Sequence, residues 1–465
     1  MVGMLDGIFI VVYMLAMVCV GLYFKTNDSM ADYAVADKKL GMSVLTATLL
    51  ATAIGGGAMT GSVGNAYSFG LLEVPKNFVL LFINLFMALV VAKPMSDIGG
   101  FTAPEMLGRV YGKKCQALGG LFCALYMIGT GPAMQSIALG SCIHLLLGID
   151  MKTGMILGMA IILAYTLFSG MWGVAMTDYV QFIFLAVGIL IATVMVYHNA
   201  GGWTGIVAKL PESHLKIDMS NAVRLFCATS LPVLIDGNRY ARFFAAKDGN
   251  TARWSTLIAS VPQTLILFMS LVMGLAAFGV LPAGTRKDMV FATLLMNYLP
   301  VGIKGICIAA LMAAIMSTAD SYMLSGATNI SVDIYKTYIN PKASDRQMLV
   351  VTKCSVLLVG LFGLGFALWR PDVMYVWTLS ATAYVGGCLV PMMYGIFARN
   401  AKKSYTAAFI AMICGGVVAL VCDINKIVIF KLPAIVYGIL VSAVVLFVLT
   451  PVMKDARVVD IRKHN

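Results

Sequence analysis

The sequence predicts an all-α integral membrane protein of about 13 transmembrane helices, and three observations predict it. Of the 465 residues, 60% are hydrophobic and 12% are charged, about half the charged share of a soluble domain. The mean hydropathy over the whole length is +0.90 and the apolar runs recur from end to end, so no stretch stands out as a separate soluble domain. The apolar runs are continuous rather than alternating, which selects helices over a closed barrel, the other structure that satisfies its backbone polar groups in lipid.

A spanning helix takes about 20 apolar residues. Runs of that kind centre near 7–24, 42–71, 78–96, 115–147, 153–168, 179–198, 222–242, 254–279, 303–328, 349–368, 373–397, 406–423 and 434–453. The first lacks a basic leader and a small-residue cleavage site, so it reads as a span rather than a signal peptide. The second and fourth are too long for one straight crossing. Gly55, Gly56 and Gly57 interrupt the second, and Gly129, Gly131 and Pro132 predict a kink in the fourth. Of the 33 Lys and Arg residues, 21 fall in one set of loops, 9 in the other and three at span edges. Basic residues collect on the cytoplasmic side, which places the N-terminus outside and the C-terminus inside a plasma (inner) membrane. The same bias accounts for the net charge of +12 without nucleic acid. The ten cysteines are scattered singly, with no CxxC pair and no Cys/His metal spacing, which predicts neither a disulfide framework nor a structural metal.

Four stretches carry candidate chemistry. In Ala51-Thr52-Ala53-Ile54-Gly55-Gly56-Gly57-Ala58, three glycines favour unwinding, and irregular backbone at membrane depth belongs where it lines a cavity; close helix packing is the competing explanation. In Ala313 to Ser321, helical spacing puts Ala314, Ser317, Thr318, Ser321, Ser325 and Thr328 on one small, oxygen-bearing face, which suits a hard cation, although Ser and Thr in spans also bond back to their own helix. Asp320 sits in mid-span, where a carboxylate is a functional candidate by default. Asp178, at the start of the sixth span, is either a helix cap or a group on an ion's inward path. Thr229-Ser230-Leu231-Pro232 predicts a break in the seventh span, because proline removes a donor and clashes with the preceding turn. The second and seventh spans are five apart, and paired broken helices mark inverted-repeat transporters. Arg239 to Asp248 is expected to leave the membrane on the inner side.

These pieces, taken in order, resemble the sodium:solute symporter family. The matching stretches are Asp32-Tyr33 with Ala36 to Leu40, Thr102 to Leu107, Thr177-Asp178 with Gln181, Arg242 to Asp248, Ala313 to Ser321 followed by Asp333-Ile334-Tyr335-Lys336, and Gly395-Ile396-Phe397. The resemblance implies a LeuT-like core of two inverted five-helix repeats within a single transmembrane domain spanning 1–465. On this reading, 1–40 is a first helix and inner loop, 41–200 and 201–400 are the repeats, and 401–465 holds two extra helices and a tail. It implies a sodium site at the carbonyls of Ala51, Ile54 and Ala314 and the hydroxyls of Ser317 and Thr318, and in some members a second cation near Asp178, Ser317, Asp320 and Ser321. Gly57 and Ala58 stand where sugar-transporting members carry polar side chains. An unpaired sugar hydroxyl is costly, which points instead to an amino acid or carboxylate near the N–H groups of Gly55 to Gly57. The glycine-rich break also resembles that of choline-transporting members, for which Tyr126, Trp377 and Tyr384 offer rings. Ser230 and Thr378 complete the expected solute-facing set.

The implied function is sodium-coupled import of a small organic solute by alternating access, with a proton-driven or uncoupled carrier, or a choline or sugar transporter, as alternatives. The expected partners are the solute, sodium as coupling ion in place of any cofactor, and the lipid bilayer, for a chain working as a monomer. Two interrupted helices fit a carrier better than a channel's continuous polar pore. An enzyme has no support from the four histidines, His144, His198, His214 and His464, which are dispersed. No signalling domain follows residue 453 to suggest a sensor.

Overall fold

The computed structural model describes residues 3–24, 29–282, 284–429 and 432–461, with the side chains at 57, 58, 373 and 374 excepted. Helices cover all of the expected apolar segments within those residues. The first is α1 (Met4–Tyr23). The second expected span is two helices, α2 (Met42–Ala53) and α3 (Gly56–Phe69). Then come α4 (Glu73–Phe86), α5 (Lys113–Ile128), α6 (Met151–Asn199), α7 (Met219–Thr229), α8 (Gly237–Ala245), α9 (Gly249–Val280) and α10 (Ile303–Asn329). The chain closes with α11 (Asp345–Trp369), α12 (Val373–Phe397), α13 (Tyr405–Ile424) and α14 (Ala434–Leu449). Among the described residues, nine helical stretches are long and apolar enough to cross a membrane by length and composition, while α2 and α14 are shorter.

Glycine and proline set the irregularities. The 49 residues of α6 are two helices joined at Gly170, whose φ of 60° and ψ of −173° suit glycine alone. The kink expected in the fourth span is a wide π-type turn over Gly129–Ala133, containing Pro132, which carries α5 on into Met134–Leu147. The second-span break is narrower than three glycines. Ile54 ends α2 and extended Gly55 (φ −54°, ψ 156°) precedes α3, so Gly56 and Gly57 are already helical. In the seventh span, α7 ends at Thr229, a 3-10 turn runs over Leu231–Ile235 around Pro232, and Asp236 caps α8 by accepting from the Asn238 N–H at 3.1 Å.

The most deeply buried of the span-length helices is α10, which packs against both arms of α6, against α2 and α3, and against α5 and α8. The two broken spans meet on it. Their ends on the Leu40 side are tied together, because Leu40 N donates to Ala245 O at 3.1 Å and Lys247 N donates to Leu40 O at 3.0 Å. The lipid-facing surfaces of α1, α9 and α11 are lined by exposed Leu, Ile, Val and Phe, as expected where the surroundings are apolar.

Candidate functional site

Two linked clusters and a cavity lie where the broken helices cross α10. The first cluster is built from oxygens. Ser317 Oγ donates to Ala51 O and Ala314 O, both at 3.1 Å, and Thr318 Oγ1 reaches Thr52 O at 3.2 Å and Ala314 O at 3.1 Å. A helix that stops at Ile54 leaves its last carbonyls without intrahelical donors, and the two hydroxyls from α10 satisfy two of them. Each hydroxyl can rotate to present lone pairs, so the same atoms that cap the helix can hold a cation. Of the residues implied for sodium, Ala51, Ala314, Ser317 and Thr318 come together here. Ile54 is buried at the end of the same turn, and Thr52 O joins the set.

The second cluster surrounds Asp178. This residue is no cap: it lies inside the second arm of α6, fully buried, and its Oδ2 accepts from Thr48, from Thr52 at 3.3 Å and from Ser321 at 3.5 Å. Arg242 is its cation. Nη2 donates to Asp178 at 3.1 Å and to the hydroxyls of Thr52 and Ser321, both at 2.6 Å; Nε donates to Thr48 at 3.0 Å; and Nη1 bonds the Asn238 side chain. One guanidinium thus joins α2, α6, α8 and α10. Asp320 is buried a turn away, accepting from Tyr165 Oη at 2.9 Å and Ser321 N at 2.6 Å. The second-cation set therefore comes together with an arginine inside it. Elsewhere on the hydroxyl face, Ser325 donates to Asn238 Oδ1 at 3.0 Å, while Thr328 bonds back to Leu324 O.

The loop assignment of Arg239 and Arg242 is corrected. They are 8% and 1% exposed inside the protein rather than in a basic loop. Lys76, which lies between the second and third expected spans and so counts among the nine basic residues of the outer loops, is also buried, bonded to Glu73 and to Ser62 Oγ at 3.3 Å. Hydropathy misses such residues because each carries its partner into the interior with it. A signal was available: Asp236, Arg239 and Arg242 are spaced by three within the seventh expected span, one face of a helix turned inward.

Between the clusters and the Lys76 side lies a cavity of about 150 Å³. Gly55, Thr52, Thr318, Tyr126, Tyr322, Trp377, Gln135, Asp236, Arg239 and Lys76 are among its lining residues. Tyr126 stacks on Tyr384 with ring centres 5.5 Å apart and meets Tyr322 edge-on at 6.2 Å. Other expected solute contacts lie elsewhere. Gly56 is pressed against Ile315 of α10, where a Cβ would overlap that side chain, so this glycine serves close packing. Ser230 is fully buried beside Thr229, and it is Thr229 that reaches the cavity. Thr378 is not among the cavity's lining residues and accepts from Thr382 through its carbonyl. The side chains at Gly57 and Ala58 lie outside the described residues.

A helical membrane bundle with two interrupted helices crossing a buried, hydroxyl-bearing third helix is a transporter of the LeuT-like fold. The chain belongs to the sodium:solute symporter family, whose model matches residues 33–415. It is 26% identical over 399 residues to the sodium/glucose cotransporter of Vibrio parahaemolyticus, covering 76% of this chain and 73% of that protein. It is 27% identical over 409 residues to the human high affinity choline transporter 1, covering 80% of this chain and 69% of that one. The structure of a Na+-coupled sialic acid symporter in a substrate-bound, outward-open state superposes with a TM-score of 0.84 at 19% identity, over 98% of this chain and 100% of the other.

Proposed function

We propose that this chain couples sodium to the import of a small organic solute by alternating access, with the ion at Ala51, Ile54, Ala314, Ser317 and Thr318 and the solute in the adjoining cavity. One observation carries the reading. Thr318 bonds Thr52 O in the last turn of α2 and also lines the cavity, as does Gly55 at the break itself. An ion held there joins α2 to α10 and fixes the wall against which the solute rests. Whatever orders that wall for one ligand lowers the ordering cost for the other. Such coupling is typically about 5- to 150-fold in affinity and is reciprocal.

The repeats fall in 41–200 and 201–400, and the chain enters the membrane from outside and ends inside. Moving Arg239, Arg242 and Lys76 into the core leaves the excess of basic residues on the expected inner side in place. A tag at residue 1 is therefore labelled from outside and one after residue 465 only from inside.

The test of coupling is a sodium titration of the purified protein, with potassium as control, read as thermal stability. Sodium is expected to raise the melting temperature in a saturable way, since a ligand of the native state stabilises it, and Ser317→Ala is expected to shift the titration to about tenfold higher sodium. Equal response to sodium and potassium in the folded wild type sinks the sodium reading and favours a proton-driven or uncoupled carrier.

A further inference from the structure

We infer that the solute is a zwitterion of the amino-acid type, with its carboxylate on Arg239 and its ammonium on Asp236. The inference rests on the cavity being the solute site. Four of the charged groups in and behind its walls are already matched: Lys76 is paired with Glu73, and Arg242 with Asp178. Asp236 and Arg239 remain. They lie one turn apart at the start of α8 and attract each other across that turn, both line the cavity, and no salt bridge within 4.0 Å joins them among the described residues.

Each of these two groups is held in place and keeps capacity to bind. Asp236 accepts from Asn238 N at 3.1 Å through Oδ1 and from Tyr322 Oη at 3.0 Å through Oδ2. An ionised carboxylate has about four acceptor positions, so lone pairs remain. Arg239 Nη1 donates to Asn84 Oδ1 at 2.6 Å, and Asn84 in turn donates to Gln263 at 3.1 Å, so α4 and α9 together steer the guanidinium. The rest of its planar fork matches a carboxylate in two-pronged fashion.

The solute classes then separate by charge. A quaternary ammonium satisfies Asp236 and meets Arg239 with a like charge. A simple carboxylate does the reverse. A sugar offers only neutral hydroxyls to two desolvated charges whose mutual attraction stops short of a salt bridge. A zwitterion neutralises both at once, while Tyr126 and Trp377 provide an apolar wall for an uncharged side chain.

The experiment is a thermal-shift panel on the full-length protein in sodium: L-alanine, L-proline, L-leucine and L-phenylalanine as zwitterions, against choline, propionate and D-glucose. At least one amino acid is expected to stabilise the protein in sodium and not in potassium, with the three controls inactive. Arg239→Gln and Asp236→Asn are each expected to weaken that amino acid about tenfold or more. Asp236→Asn keeps the helix cap, since Asn accepts the same N–H. The charge logic also predicts gains: choline binding in Arg239→Gln and propionate binding in Asp236→Asn. The inference is overturned if choline, propionate or glucose stabilises the wild type as well as any amino acid does, or if no amino acid stabilises it. Either result leaves the symport reading standing as long as sodium alone stabilises the wild type and Ser317→Ala shifts that response to higher sodium; absence of a sodium response in the wild type breaks the symport reading itself.

Discussion

The two broken spans do the same mechanical job with opposite chemistry. The break between α2 and α3 is made of small residues and works through its backbone, whose carbonyls at Ala51 and Thr52 turn toward hydroxyls on α10. The break between α7 and α8 works through side chains. Its carbonyls are capped by tyrosines, Ile235 O by Tyr384 at 2.7 Å and Leu234 O by Tyr240 at 3.1 Å, and its polar outlet is the row Asp236, Arg239 and Arg242. Backbone oxygens on a short turn suit a bare monovalent ion, which needs many weak ligands close together. Charged side chains one turn apart suit a larger molecule whose charges are separated. The contrast teaches that an unwound helix is a general device, and that the residues around the break decide what it binds.

The comparison breaks most severely at Gly55. A Cβ there would lie 1.9 Å from Thr318 Oγ1, so Gly55→Val pushes α10 off the break. Overpacking of this kind costs about 1–3 kcal/mol, and uptake into proteoliposomes and the sodium-dependent thermal shift are both expected to disappear. A Gly55→Val protein that elutes as folded and still responds to sodium would separate the break from the ion site.

Arg242→Gln comes next in its effect on uptake, although its cost in stability is the larger. It leaves Asp178 buried without its cation, an effect of about 3–5 kcal/mol for a fully buried pair. The expected signature is a marked fall in melting temperature that Arg242→Gln/Asp178→Asn partly recovers, since the double variant removes the uncompensated charge. If the double variant is no more stable than the single one, the two residues do not act as a pair.

Smaller effects follow on the ion side. Ser317→Ala and Thr318→Ala each remove one oxygen from the set, and each is expected to raise the sodium concentration for half-maximal uptake about tenfold, as befits a bond to a charged group. Both variants should leave the folded yield near wild type. Unchanged sodium dependence in both would move the ion elsewhere along α10.

The smallest effect is the control. Gly365 of α11 faces outward with nothing within 4 Å of its Cβ position. Gly365→Ala is expected to leave uptake kinetics unchanged, in contrast to the glycine at the break. A loss of uptake there would show that α11 moves against a neighbour during the cycle.

Much of this molecule was legible in the sequence because lipid imposes a one-dimensional rule. A helix in a membrane satisfies its own backbone and shows apolar side chains outward, so run length alone locates α1, α9 or α11. Local chemistry marked the interruptions too: Gly55 and Pro232 act on their own turns, whatever surrounds them. The hydroxyl face of α10 followed from helical periodicity. Three things were decided only by tertiary structure. Gly56 resembled an unwound segment and instead packs on Ile315, because its conformation depends on a helix 259 residues away in the chain, as the numbering of the two shows. Asp178 reads locally as a cap, and its role emerges only when Arg242 arrives from α8. Arg239 and Arg242 stand at the very end of an expected span and Lys76 between two spans, where basic residues are counted with the loops, yet all three lie buried with their partners. Sequence fixes what a residue can offer within its own few turns; whether a charge is buried or solvated depends on what the rest of the chain brings to it, and that is a property of the folded whole.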